Sequence, residues 1–308
     1  MSKQIRGSLL LLLAAMIWGA AFVAQSEGMS SMQPLSFNGM RQLLAGLALL
    51  IPVLLRKMKD PSGSQSTPAR RKKKWTAGLL CALFLFLSTN AQQMGLQTTS
   101  PGKAGFITAL YVVLVPIANF IVFRKNPGRV VWLGVLLAVA GLYLLCCDPT
   151  EGGFAAGDLM IMACALFYTV HILVIDRFGP AVDPFRLSCM QFLISGAFSV
   201  LVSLPFETIT LAGIRGSLLP MLYAGILSGA VGFTIQIVAQ KETDPTVASL
   251  IMCLESVFAV IFGALLVGEK MSTREALGCC LMFSAVILAQ LSPWLAARAK
   301  AKKEVLSQ

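Results

Sequence analysis

Ten stretches of about 20 predominantly apolar residues recur along this chain, each long enough to cross the hydrocarbon core of a bilayer as a helix. They lie at 7–26, 34–55, 75–97, 102–123, 128–147, 157–178, 184–206, 217–240, 245–267 and 272–292. Composition agrees: 56% of the 308 residues are hydrophobic, 13% are charged, and the mean hydropathy is +0.78. A soluble domain of this size has too little polar surface to cover such a chain. The sequence therefore predicts an all-α integral membrane protein with ten transmembrane helices.

The formal net charge of +11 is concentrated in short clusters between the apolar runs. Such clusters suit a membrane face rich in anionic lipid, and no aromatic-interleaved basic motif points to nucleic acid. With the N-terminus inside, 20 Lys and Arg fall on the cytoplasmic side and 4 outside, with Arg41 left within a span. That bias predicts a multi-pass protein of the cytoplasmic membrane with both termini in the cytoplasm. It also makes 56–74 a basic cytoplasmic linker, flexible around Pro61 to Ser64, and 293–308 a basic cytoplasmic tail. The run from Arg70 to Lys74 is read as a topology determinant that meets anionic headgroups. Lys3 and Arg6 before the first apolar run resemble a signal peptide, but this segment has a counterpart later in the chain and is expected to be retained. The eight cysteines lie mostly within apolar runs and form no CxxC, so they read as small buried hydrophobes. No motif calls for a metal or a cofactor.

The second half repeats the first. At a separation of 150, Gly7 matches Gly157, Ala15 matches Ala165, Pro34 matches Pro184, Met40 matches Met190 and Gly46 matches Gly196. Beyond the basic linker the separation becomes 144, where Gln92 matches Gln236, Thr99 matches Thr243, Pro101 matches Pro245, Leu110 matches Leu254 and Gly134 matches Gly278. The change of six places an insertion in the first half. The expected units are 1–147 and 157–292, each with five spans. Five is odd, so the two units must cross the membrane in opposite senses. Two inverted five-helix repeats are a recurring architecture of secondary transporters.

The stretch from Leu254 to Glu269 (LESVFAVIFGALLVGE), with Gly278 in the next span, resembles the penultimate-helix signature of the drug/metabolite transporter superfamily, EamA type. The Trp18 to Phe22 segment, Arg41, the Thr99 to Gly105 segment and the run from Tyr111 to Pro116 are similar to the same family. The resemblance covers essentially the whole chain. Two positions depart from it: Ser256 stands where the family often has proline, which bears on a kink in the ninth span. Phe123-Arg124-Lys125 replaces a Gly-Glu ending in the first half. The resemblance implies two EamA repeats around a central cavity, alternating access, and movement of a metabolite, amino acid or drug-like molecule, frequently outward.

Polar side chains inside spans are costly and tend to face a cavity or a partner. Glu255 falls near mid-membrane, where it can take up a proton, hold a cationic group, or bond between helices. Arg41 lies roughly 10 Å into the second span; it either attracts an anionic group or pairs with a carboxylate and snorkels outward. His171, the sole histidine, suits proton coupling or a neutral bond within the bundle. Asn90, Gln92 and Gln236 can hold polar groups or join helices. Trp18, Tyr111 and Tyr168 can stack on a flat or cationic substrate or serve as packing. These nine residues are the candidate substrate cavity. Gly134, Gly141, Gly263 and Gly278 are read instead as close helix contacts.

The expected partners are a small-molecule substrate, protons and the lipid bilayer, with the oligomeric state left open. An intramembrane enzyme is the first rival, but the chain lacks HExxH, a GxSxG elbow and paired intramembrane aspartates. A gated channel would need rings of charge, and the spans hold too few ionisable residues to form one. No Walker A sequence is present to support ATP-driven pumping.

Overall fold

The computed structural model describes residues 3–59, 67–99, 101–146, 156–262, 265 and 272–306. Every regular element among the described residues is helical. Five helices begin on proline, whose missing N–H and fixed φ suit the first helical position. These are α2 (Pro34–Lys59), α3 (Pro68–Gly95), α4 (Pro101–Ala109), α8 (Pro184–Ser203) and α12 (Pro245–Met252). Asp183 and Asp244 cap α8 and α12, accepting from the backbone N–H groups of Arg186 and Thr246, which satisfies donors that the helix leaves orphaned. The remaining α-helices are α1 (Lys3–Met29), α5 (Tyr111–Phe123), α6 (Arg129–Cys146), α7 (Ala156–Phe178), α9 (Leu211–Gly216), α10 (Leu218–Leu222), α11 (Thr234–Gln240), α13 (Glu255–Phe262) and α14 (Thr273–Leu306).

Nine helical stretches among the described residues are long and apolar enough to cross a membrane. The fifth expected span is a shorter apolar helix, 129–145. At 1.5 Å per residue it reaches roughly 26 Å, a little less than a typical hydrocarbon core.

Three expected spans are interrupted rather than continuous. The fourth breaks at Leu110 between α4 and α5, and the ninth breaks at Cys253 and Leu254 between α12 and α13. At both breaks the backbone tightens into i to i+3 hydrogen bonds: Leu110 N–H to Ile107 O, Leu254 N–H to Ile251 O and Ser256 N–H to Cys253 O. Such short tightened turns interrupt the helical ladder without proline. The ninth span therefore breaks although Ser256 stands at the position where the resemblance leads to proline. The eighth span contains an 11-residue π-helical stretch, Tyr223–Phe233, between α10 and α11. The 293–306 stretch, expected as a tail, continues α14 as helix. Pro61 to Ser64, Gly263 and Glu269 lie outside the described residues.

Close packing rests on small residues. α2 lies against α8, α6 against α14 and α3 against α7. A Cβ on Gly46 would stand 2.6 Å from Leu193 Cδ2, and one on Gly196 would stand 2.7 Å from the backbone N of Leu43. These contacts make α2 and α8 antiparallel. In the α6–α14 pair, a Cβ on Gly141 would fall 2.8 Å from Gly278 O, and one on Gly278 would fall 2.7 Å from Gly141 O. Lipid tails are as apolar as leucine, so helices in a membrane associate through such close backbone approach. Gly134 packs less tightly, 3.2 Å from Ala285 O by the same measure.

Candidate functional site

The breaks, the π-helical stretch and the polar faces of α1, α2 and α3 converge on one cavity. Seven of the nine expected residues line it: Trp18, Arg41, Gln92, Tyr111, Tyr168, Gln236 and Glu255. Asn90 and His171 do not. The cavity leans toward the end of the bundle where α1 finishes and α2 begins, because Gln25, Arg41, Gln42, Thr89 and Gln92 all contribute to its wall.

Glu255 is the first residue of α13 and Tyr111 the first of α5, so each side chain emerges where a helix restarts. Glu255 is 8% exposed and Oε1 accepts from the Tyr111 hydroxyl at 3.4 Å. That is long for an O–H···O bond, and no cation pairs with the carboxyl among the described residues. Broken helices at mid-membrane are tolerated where their irregular backbone lines a cavity, and here the breaks deliver the two polar groups to it.

Arg41 is 6% exposed. Among the described residues it pairs with no carboxylate, one of the two roles open to it from sequence. Its Nη2 donates to Gln25 Oε1 at 3.3 Å, and its Nε has no partner among the described residues. A buried guanidinium held by one neutral amide retains most of its donor capacity for a further group. Gln25 itself was not singled out by sequence, because it sits near the end of an apolar run with no match in the second half.

The wall next to Arg41 is an amide and hydroxyl network. Asn38 Nδ2 donates to Asn90 Oδ1 at 2.8 Å and to Thr89 Oγ1 at 3.1 Å; Gln42 Nε2 donates to Thr89 Oγ1 at 2.8 Å; Asn90 Nδ2 donates to Ser199 Oγ at 2.7 Å. Asn90 thus ties α2, α3 and α8 together behind the wall. Gln92 Nε2 donates to Thr108 Oγ1 at 3.2 Å, while Gln236 Oε1 has no partner.

Aromatic rings close the other side. Trp18 donates from Nε1 to Ser228 O at 3.1 Å, a carbonyl presented by the π-helical stretch. Its ring centroid lies 5.0 Å from that of Phe233, which in turn lies 5.3 Å from Phe192 and 6.1 Å from His171. His171 is fully buried behind these rings, with Nε2 3.0 Å from Gln191 Oε1. Thr89, Thr108, Phe192 and Phe233 are cavity residues that sequence reading passed over; short hydroxyls and phenylalanines in apolar spans carry no local signal of their own.

A family model for EamA-like transporters matches the chain twice, at residues 5–147 and 155–291. The chain belongs to the EamA-like transporter family. Membership makes it a multi-pass membrane transporter of the drug/metabolite transporter superfamily, and a small-molecule substrate and a lipid bilayer follow from it. An uncharacterised transporter of Archaeoglobus fulgidus is 30% identical over 293 residues, covering 94% of this chain and 87% of that protein. The Escherichia coli inner membrane transporter YedA is 22% identical over 280 residues, covering 91% and 89%. A solved crystal structure shares the fold with a TM-score of 0.80 at 20% identity, covering 96% of this chain and 99% of that one.

Proposed function

We propose that this EamA-like protein is a secondary transporter of the cytoplasmic membrane that moves a small metabolite or drug-like molecule outward by alternating access. It has ten spans arranged as two inverted five-helix repeats, 1–147 and 157–292, with both termini cytoplasmic. The single observation that carries the reading is the composition of the cavity wall. Trp18 and Tyr168, and Gln42 and Phe192, are pairs separated by 150 residues. Thr89 and Phe233, Gln92 and Gln236, Thr108 and Met252, and Tyr111 and Glu255 are separated by 144. All twelve face one cavity. A site built from matched positions of two halves lies on the axis that relates them, where a rocking of one half against the other can expose it to either side in turn.

The packing supports the same reading. Gly46 meets Leu193 as Gly196 meets Leu43, each contact the other's image at a separation of 150. Thr234 Oγ1 donates to Ser188 Oγ at 2.9 Å, and these residues correspond to Asn90 and Asn38, which are bonded to each other in the first half. Glu255, with no cation beside it among the described residues, is the group through which proton movement would couple to the substrate.

The test is a thermal-shift screen of the purified protein against amino acids, nucleosides, sugars, polyamines and cationic dyes, repeated with Glu255→Gln and Arg41→Ala. A ligand that stabilises the wild type and not a folded variant places the substrate in this cavity. Uptake of that ligand into proteoliposomes should then saturate and show trans-stimulation; ohmic, non-saturating flux would replace the carrier with a channel.

A further inference from the structure

Three cavity-side residues have counterparts that do not reach the cavity. Ala21, Gln25 and Arg41 line it; the residues 150 positions later are His171, Ile175 and Gln191. His171 and Gln191 are both 0% exposed and share the 3.0 Å bond described above. That bond leaves His171 Nδ1 and Gln191 Nε2 without partners among the described residues, and Ser195 Oγ, one turn further along α8, is likewise buried without one. Three orphaned polar atoms in one fully buried cluster are expensive in a membrane protein. The cluster lies just behind the cavity wall, since the His171 ring is 6.1 Å from Phe233, which faces the cavity.

Its position along the membrane is also defined. α2 and α8 cross antiparallel where Gly46 meets Leu193 and Gly196 meets Leu43. Arg41 precedes the crossing on α2 and Gln191 precedes it on α8, so the two lie on opposite sides of it. Arg41 belongs to the half of the bundle into which the cavity leans, and Gln191 belongs to the other half, where it is fully buried.

We propose that His171, Gln191 and Ser195 form a second, currently closed polar half-site that lines the substrate path when the cavity opens at the end where α1 begins. This rests on the alternating-access reading. When the halves exchange roles, the Arg41–Gln25 pair closes over and the His171–Gln191 pair takes its place against the substrate. The chemistry of the two differs. Arg41 presents a permanent cation, whereas Gln191 and Ser195 present neutral donors and His171 an imidazole nitrogen. The ligand of the second half-site therefore carries an accepting oxygen, a carboxylate or carbonyl, for Gln191 Nε2 and Ser195 Oγ, beside a donor for His171 Nδ1, whose Nε2–H is already given to Gln191 Oε1.

Membrane-impermeant trimethylammonium-ethyl methanethiosulfonate, applied to either face of sealed vesicles, tests this with Gln191→Cys and the near-isosteric Ser195→Cys in the full chain. Labelling is read residue by residue by mass spectrometry, so that native cysteines are scored separately. Both positions are expected to react at least about tenfold faster from the face where α1 begins than from the other face, with Ala21→Cys showing the opposite preference. Reaction of Ile175→Cys from the α1-start face, without reaction at 191 or 195, would overturn the second half-site and leave alternating access standing. If no position, Ile175→Cys included, reacts from that face, alternating access fails and the half-site fails with it.

Discussion

Tyr111 donates its hydroxyl to Glu255 across 3.4 Å, and the two residues hold the same place in each half of the chain, 144 positions apart and each the first residue after a helix break. The bond joins the two stretches that each match the EamA-like family model. One member is a carboxyl and the other a phenol, so the two positions are alike in backbone and unlike in chemistry.

Replacing Glu255 by glutamine keeps the shape and an acceptor for Tyr111 while removing the carboxyl. Transport in proteoliposomes is expected to fall at least about tenfold and to lose its dependence on pH between about pH 5 and pH 8. Wild-type rates and an unchanged pH profile in this variant would take Glu255 out of the mechanism.

Arg41→Lys keeps the charge but loses the planar fork of donors and the bond to Gln25 in its present geometry. For a ligand bearing a carboxylate, affinity should drop about tenfold in Arg41→Lys and further in Arg41→Gln, measured as ligand-induced thermal stabilisation. Equal binding by all three proteins would mean that Arg41 is structural.

Gly141→Val forces a Cβ to within 2.8 Å of the Gly278 carbonyl oxygen. Backbone cannot move aside as a flexible side chain can, so α6 and α14 must separate. The expected cost is about 1–3 kcal/mol, seen as a lower unfolding midpoint in detergent. Gly128→Ala, at a glycine with no neighbour in reach of an added Cβ but a φ of 90°, should cost less than about 2 kcal/mol, through strain alone.

Asn38→Ala removes the donor shared by Thr89 and Asn90 and leaves Asn90 Oδ1 buried without its partner. A loss of about 1–3 kcal/mol in stability is expected, with Asn38→Asp partly rescuing it only if the new acid is protonated. Chemical unfolding of the three proteins side by side provides the measurement.

Much of the protein was legible in the order of its residues. Apolar runs of about 20 residues mark the spans because lipid leaves an uncompensated backbone no alternative to the helix. Prolines mark helix starts because ring closure sets φ and removes a donor that the first turn does not use. Seven of the nine residues nominated from sequence line the cavity because polar side chains in a membrane need a reason to be there, and the 144-residue separation that pairs Gln92 with Gln236 already pairs Tyr111 with Glu255. Tertiary structure alone decided the rest. Which polar groups share a wall depends on helix rotation and crossing, and this is why Asn90 and His171 turn away while Gln25 and Thr108 turn in. The breaks at Leu110 and at Cys253–Leu254 carry no proline or glycine. They are stabilised by what surrounds them, since a backbone turn at mid-membrane persists only where neighbouring helices and a polar cavity satisfy the groups it frees.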